Sequence, residues 1–229
     1  MIDLRLGDCR DLVRQINPDD VKLVVLEPPY NIGFQGYDIW PDNLSDDEYI
    51  EMLCEFQRFE RIISIDYPEE TQKYINAALG SPTHSGVWCY NANTPRRFRL
   101  INYYGCKPDY SRIKQPYKNL ADKRVRELLA SGRQGSDLYE WWADIQQVKN
   151  VSDEKTAHPC QVPIALIERI LILTTDEGDT VLDPFMGSGT TAEACYNLKR
   201  HCIGFEISPY YLSIQQNRIE KAQLQPSFI

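Results

Sequence analysis

The 229-residue sequence has no uninterrupted apolar stretch of about 18 residues, and residues 1–12 lack the basic-then-apolar order of a signal peptide. Membrane spanning and secretion are not expected; a cytoplasmic setting is. The seven cysteines (Cys9, Cys54, Cys89, Cys106, Cys160, Cys195, Cys202) are an odd set without a C-x-x-C pair, so they read as reduced thiols and not as a disulfide frame or zinc site. Histidine is scarcer: the three residues give no pair with metal-ligand spacing, and no metal is expected. Internal repeats and low-complexity tracts are missing too. With 12 Gly, 14 Pro, 42% hydrophobic and 25% charged residues, the composition is that of a globular chain with apolar mass for one sizeable core.

The net charge of −8 argues, as an average, against a polyanionic partner. The distribution argues otherwise. Residues 96–126 carry ten cations against two acids, whereas residues 1–80 hold seventeen acids against seven bases. Phe98, Tyr103, Tyr104, Tyr110 and Tyr117 interleave with those cations, a mixture suited to phosphate contact and base stacking. A solvated charged face is the plainer alternative.

Apolar runs bounded by turn residues predict buried parallel strands at 22–26, 87–90, 180–182 and 202–205. Helical periodicity is best at 46–58, 164–175 and 190–198, and a further helix is expected after Ser208 and Pro209. Alternating strands and helices at both ends predict an α/β sheet covered on both faces. Residues 91–157 lack a sustained period and read as an insertion, with a short helix at 123–130 and an aromatic docking point at Tyr139, Trp141 and Trp142.

Residues 179–194 read as strand, glycine-rich turn and helix. Gly187 and Gly189 remove Cβ atoms where backbone must approach a ligand, and the helix that follows offers free N–H groups and a positive dipole end. A carboxylate or a phosphate would fit equally well. Thr190 stands where a P-loop needs lysine, which disfavours triphosphate hydrolysis. The next strand ends at Glu206, placed to accept both hydroxyls of a ribose, so an adenosine-containing ligand is expected. A NAD-dependent oxidoreductase would leave the amino-terminal motif unexplained.

That motif is Glu27-Pro28-Pro29-Tyr30, at the end of the first long apolar strand. The prolines lack N–H groups and fix φ, so a carboxylate, rigid carbonyls and an aromatic ring are presented together. Tyr30 can stack on a flat base while Glu27 and the Pro28 carbonyl accept the two protons of an exocyclic amine. The nitrogen lone pair then points at an electrophile, and the acceptors stabilise the charge that develops during methyl transfer.

This pair of motifs resembles the amino-methylating N6-adenine and N4-cytosine DNA methyltransferases, which use S-adenosylmethionine. Their D-P-P-Y corresponds to Glu27-Pro28-Pro29-Tyr30, and their D-x-F-x-G-x-G to Asp183, Phe185, Gly187 and Gly189, in the circularly permuted β-class order. The segment from His158 to Pro163 resembles the family's H-P-x-[QE]-K-P, and Gly7-Asp8-Cys9 resembles its G-D-C strand end. The resemblance implies a Rossmann-like class I methyltransferase fold, one domain over 1–229, with 91–157 as a basic target-recognition region. It implies S-adenosylmethionine held by Asp8, Cys9, His158, Gln161, Asp183, Pro184, Phe185, Gly187, Ser188, Gly189, Thr190, Thr191 and Glu206. The catalytic set would be Glu27, Pro28, Pro29 and Tyr30. The partner would be double-stranded DNA with a flipped adenine, contacted by Arg96, Arg97, Arg99, Lys114, Lys118, Lys123 and Arg124, with a homodimer left open.

Three features depart from the family pattern. Glu27 is one methylene longer than the usual aspartate, and a displacement of about 1 Å can cost on the order of 100-fold in rate. Glutamate here also resembles the non-catalytic partner of the messenger-RNA adenosine methyltransferase pair, so an inactive cofactor- and nucleic-acid-binding subunit is the second reading. N4-cytosine methylation is a third, weaker because that subgroup carries serine. Val162 replaces a common lysine, and the insertion is small.

Overall fold

The computed structural model describes residues 1–92, 96–149 and 152–224. Among the described residues there are ten strands: β1 (Ile2–Leu6), β2 (Leu23–Leu26), β3 (Ile62–Asp66), β4 (His84–Cys89), β5 (Phe98–Tyr104), β6 (Lys114–Gln115), β7 (Ser136–Asp137), β8 (Trp141–Trp142), β9 (Thr180–Asp183) and β10 (His201–Glu206). The helices are α1 (Cys9–Leu12), α2 (Asp46–Cys54), α3 (Gln72–Leu79), α4 (Lys123–Ala130), α5 (Ile164–Thr174), α6 (Thr190–Asn197) and α7 (Pro209–Leu224).

Eight strands form one sheet in the order β1-β10-β9-β2-β3-β5-β4-β8. The first five are parallel, and β5 runs antiparallel to both β3 and β4. Period-two alternation divides β2 between two cores: Leu23 and Val25 face α5 and α6, while Val24 and Leu26 face α2 and α3. A strand apolar on both faces can sit only where helices cover both, which accounts for the unbroken Leu-Val-Val-Leu run. From β9 the chain proceeds outward to β10, and from β2 it proceeds the other way to β3. The β9/β2 junction is therefore a topological switch point, where a crevice opens beyond the carboxyl ends of the strands.

The four expected strands are present, although β4, expected to be parallel, pairs antiparallel with β5 and parallel with the short β8; the helix over 123–130 has those bounds. The stretch expected as one helix over 46–58 begins at a Ser45/Glu48 capping box but tightens to a 3₁₀ turn after Cys54. Residues 91–157 need correcting as an insertion, apart from 93–95 and 150–151, which lie outside the described residues. β5 falls inside that range yet belongs to the central sheet, and β8 extends the sheet at its edge. Of the described elements in that range, α4, the 3₁₀ turn Tyr110–Arg112 and the two-stranded β6/β7 ladder stand apart from it. Trp142 is fully buried and donates Nε1–H to the Tyr139 carbonyl at 2.6 Å, whereas Trp141 is exposed and stacked on Tyr139, so one half of the expected docking point packs and the other does not. Among the described residues no helix is long and apolar enough to cross a membrane, no cluster of His, Cys, Asp and Glu has the makings of a metal site, and all seven cysteines are free.

Candidate active site

Both motifs open onto one cleft of about 960 Å³, solvent included. Glu27 to Tyr30 line one wall, leaving the end of β2; Asp183 to Ser188, leaving the end of β9, line the wall opposite. Gly7, Asp8 and Cys9 close one end, Tyr37 to Trp40 cross the mouth, and His158, Glu206, Ser208 and Tyr211 complete the cofactor side. The lining holds five carboxylates, those of Asp8, Glu27, Asp38, Asp183 and Glu206, and no lysine or arginine among the described residues. A site of that sign favours a ligand bearing positive charge and opposes a phosphate. The glycine turn, which by itself fits either, is thereby set in a phosphate-averse surround.

On the catalytic wall, Glu27 is nearly buried, and burial pushes its carboxyl up to about 7, with Arg99 opposing the rise and Asp183 adding to it. The Arg99 guanidinium is ion-paired with Glu27 Oε1, and the Tyr30 hydroxyl donates to the same oxygen at 3.3 Å. Oε2 accepts no hydrogen bond from the described residues. The Pro28 carbonyl is also without a donor among them, while that of Pro29 accepts from the Tyr49 hydroxyl at 2.6 Å. Two acceptors, one anionic and one neutral, are thus left open at the strand end. The turn that follows is wrapped on Asp42, whose buried carboxylate accepts from the backbone N–H groups of Asn31, Ile32 and Phe34 at 2.8, 3.1 and 2.9 Å.

On the cofactor wall, burial raises Asp183 to about 6 and Glu206 to about 7. Glu206 Oε2 accepts from Gly187 N at 2.9 Å and from Gln215 Nε2 at 3.1 Å, and Oε1 accepts from Ser208 N at 2.8 Å. The carboxylate therefore keeps one lone pair free on Oε1, room for one ribose hydroxyl and not the two expected. His158 packs edge-on against Tyr211 at 4.5 Å and accepts from Cys160 N through Nδ1; burial lowers it to about 4, so the ring is neutral at pH 7. Asp8 caps α1 and is clasped by Arg10, which holds its carboxyl below the usual range. Buried Arg218 donates to Thr190 Oγ1 at 3.1 Å and to the Ser188 carbonyl at 3.3 Å, fixing the start of α6 from behind.

Of the expected catalytic and cofactor residues, all but two line the cleft. Gln161 lies off the cleft, its amide oxygen taken by Thr156 N and Oγ1 and its amide nitrogen by the Glu154 carbonyl, so it ties down a loop. Gly189 also lies off it; it caps α6 at φ +80°, and a Cβ there would meet Gln215 at 3.1 Å. Arg99 is the third correction. It is 6% exposed and committed to Glu27, which removes it from the surface cations. Of the remaining cations, Lys123 and Arg124 are exposed on α4, Lys114 pairs with Asp137, and Lys118 lies over Tyr139 and Trp141. Arg97 is exposed, and Arg96 pairs with Glu70 beside the Tyr67 ring. Arg99 is expected as a DNA contact and not as part of the catalytic wall, and Asp42, Gln215 and Arg218 are not among the expected site residues, because each is one polar residue without a motif spacing. The alternation of Arg99 with Ile101 and Tyr103 was the available signal for the first.

The family model described as a DNA methylase of the N6/N4 type matches residues 55–217, a span that includes the glycine turn and begins after Glu27. Among curated proteins, the type II methyltransferase M.HpaI of Haemophilus parainfluenzae is 27% identical over 91% of this chain and 71% of its own length. The DNA adenine methyltransferase YhdJ of Escherichia coli (strain K12) is 27% identical over 94% of this chain and 82% of its own. Among solved structures, the crystal structure of the M1.HpyAVI–SAM complex aligns over 96% of this chain and 99% of that one, with a TM-score of 0.65 and 22% identity.

Proposed function

The chain belongs to the N6/N4 DNA methylase family, and from that premise we propose that it transfers a methyl group from S-adenosylmethionine to the exocyclic N6 of an adenine flipped out of duplex DNA. The observation that carries this reading is the shared cleft: the Glu27–Tyr30 wall at the end of β2 faces a glycine turn at the end of β9, inside a lining that holds five carboxylates and, among the described residues, no lysine or arginine. The cofactor carries a sulfonium and an ammonium, so its charge suits that lining. Asp8, Asp183, the turn at Gly187 and Ser188, the α6 start at Thr190 and Thr191, His158 and Glu206 are the residues that would hold it. When bound, it supplies an electrophilic methyl group.

The chain's own residues do the rest. Glu27 Oε2 and the Pro28 carbonyl accept the two protons of the amine and orient its lone pair, and Tyr30 supplies a ring for the base. The nitrogen gives up one proton as its bond to the methyl carbon forms, and Glu27 is the group placed to receive it. A carboxylate at position 27, in place of a hydroxyl, supports adenine over cytosine. Exposed Lys123 and Arg124 on α4, with Arg97, supply phosphate contacts.

Incubation with S-adenosylmethionine and unmethylated DNA, followed by nucleoside mass spectrometry, tests the reading. N6-methyladenine is expected. N4-methylcytosine in its place would move the chain to the cytosine subgroup, and intact cofactor binding without any methylated nucleoside would make it the inactive subunit.

A further inference from the structure

Two departures from expectation meet in one contact: a glutamate where aspartate is usual, and an arginine drawn into the core. On the methyl-transfer reading above, we propose that Arg99 is the positioning residue that fits glutamate to position 27, holding Oε1 beneath the cleft so that Oε2 is left as the acceptor for the substrate amine.

Arg99 reaches the site from β5, paired in register with Trp88 on β4. Its guanidinium lies 4.9, 5.5 and 5.6 Å from the ring centres of Tyr67, Tyr30 and Trp88, an aromatic cage that leaves the side chain 7% exposed. Its Nε is buried without a hydrogen-bond partner, and Glu27 is its one carboxylate ion-pair partner among the described residues. A caged cation of this kind has nowhere to go, because leaving Glu27 would strand the guanidinium away from water. Oε1 thus takes both the arginine and the Tyr30 hydroxyl, and Oε2 takes neither. From the same backbone an aspartate would reach about 1.5 Å less far, one C–C bond, and would forfeit the pair. The added methylene and the buried arginine account for one another.

The groups facing Glu27 are Arg99 from β5, Asp183 from β9 and Tyr30 from its own turn, with Tyr37, Tyr67 and Cys160 around them. Arg99 is the only cation in that set and, ahead of the hydrogen bond from Tyr30, the main group that favours the charged carboxylate the amine requires.

The test uses the full chain. Methyl transfer to unmethylated DNA is measured for wild type, Arg99→Met, Arg99→Lys and Glu27→Asp, with S-adenosylmethionine affinity by calorimetry. The Glu27 carboxyl is titrated by carbon NMR in glutamate-labelled protein, its signal assigned with Glu27→Gln. Arg99→Met is expected to lower kcat about 100-fold at nearly unchanged cofactor affinity. It should also carry both the Glu27 titration and the acid limb of kcat to higher pH by about one unit or more. Arg99→Lys should restore the titration and only part of the rate, since an ammonium lacks the planar fork. Glu27→Asp should lose activity. If Arg99→Met does not fold, Glu27→Asp and Arg99→Lys still decide. Wild-type kcat in either of them, or an unmoved Glu27 titration in Arg99→Met, overturns the proposal. A wild type that methylates no base refutes the transfer reading instead, and the titration then decides whether Arg99 governs Glu27.

Discussion

The imidazole of His158 lies so close to Gly187 that a β-carbon built on the glycine would stand 3.0 Å from both Cε1 and Nε2 of the ring. The two residues come from distant motifs, and their contact closes the cofactor side of the cleft. Gly187 has φ +54°, where an L-residue costs roughly 1–2 kcal/mol before any clash is counted. Gly187→Ala is expected to weaken S-adenosylmethionine binding by at least about tenfold, the effect of some 1.4 kcal/mol. Gly33→Ala is the control, because Gly33 has φ +73° and nothing within 4 Å of its would-be Cβ, so it reports backbone strain alone. Equal losses of affinity in the two variants would show that the His158 contact is irrelevant to binding.

The buried carboxyls set a pH dependence whose sign can be worked out. Glu27 and Glu206 stand near 7 in the folded chain against an ordinary 4.5, and Asp183 near 6 against 3.8. Between those limits the folded state holds protons that the unfolded chain has released, so stability without ligand falls as pH rises through about 4 to 7. His158, lowered from 6.5 to about 4, works in the opposite direction over pH 4 to 6.5 and offsets part of the loss. A cationic ligand meets more negative charge once the carboxyls ionise. The rise in Tm caused by S-adenosylmethionine should therefore be larger at pH 8 than at pH 5.5. Scanning fluorimetry with and without cofactor checks this, and a pH-independent increment would remove the carboxylates from cofactor binding.

How much of this was legible in the residues depended on whether polar groups interrupt a pattern. β2, β9 and β10 are apolar runs ended by turn residues, and both catalytic-end motifs hang directly from β2 and β9, so the site was readable with them. β3 and β5 were not, because each carries polar residues inward. Asn102 and Ser64 donate to Asp66 Oδ2 at 3.1 and 2.6 Å, a buried polar cluster across β5 and β3 that hides the alternation, and exposed Ser85 on β4 donates to Asn102 at 2.6 Å. Arg99 is hidden for the same reason: a cation beside Arg96 and Arg97 reads as surface, and its phase with Ile101 and Tyr103 is what puts it on the buried face. Side chains that act by satisfying one loop, such as Asp42 and Gln215, leave no spacing to find.

The basic helix α4 buries none of its residues, so its cations can be changed with little effect on the core. Lys123 extends into solvent at 85% side-chain exposure, and its one ion pair, with Glu127, is a long 3.8 Å approach. Such surface pairs are worth about 0–1 kcal/mol and yield readily to a phosphate. Replacing Lys123 and Arg124 together by glutamine should weaken DNA binding at low salt and reduce the slope of log K against log salt by about 0.9 for every phosphate the helix ceases to neutralise. Cofactor affinity should not change. A slope equal to that of wild type would place the DNA on another face.

Asp42 makes the sharpest structural prediction because one carboxylate organises the whole turn beyond Tyr30. Its carboxylate accepts three backbone N–H groups, while Gly33 N donates to the Asp42 backbone carbonyl at 2.7 Å. Asn31 and Asp42, at the two ends of the turn, both have positive φ, +55° and +51°, a conformation that is costly for residues with a Cβ and persists here because those bonds hold it. Between them the chain carries Tyr37 to Trp40 across the cleft, and the Ser208 hydroxyl donates to Asp38 at 2.5 Å on the cofactor side. Hydrogen bonds to a charged acceptor contribute about 1.5–3 kcal/mol each, and three leave together in Asp42→Ala. The expected result is a lowered Tm, faster hydrogen exchange at the amides of residues 31–34, and a drop in kcat from an unfixed Tyr30. Asp42→Asn, which keeps one acceptor oxygen, should fall between. Unchanged exchange at those amides in Asp42→Ala would mean that the turn is held by its packing across the cleft and not by the carboxylate.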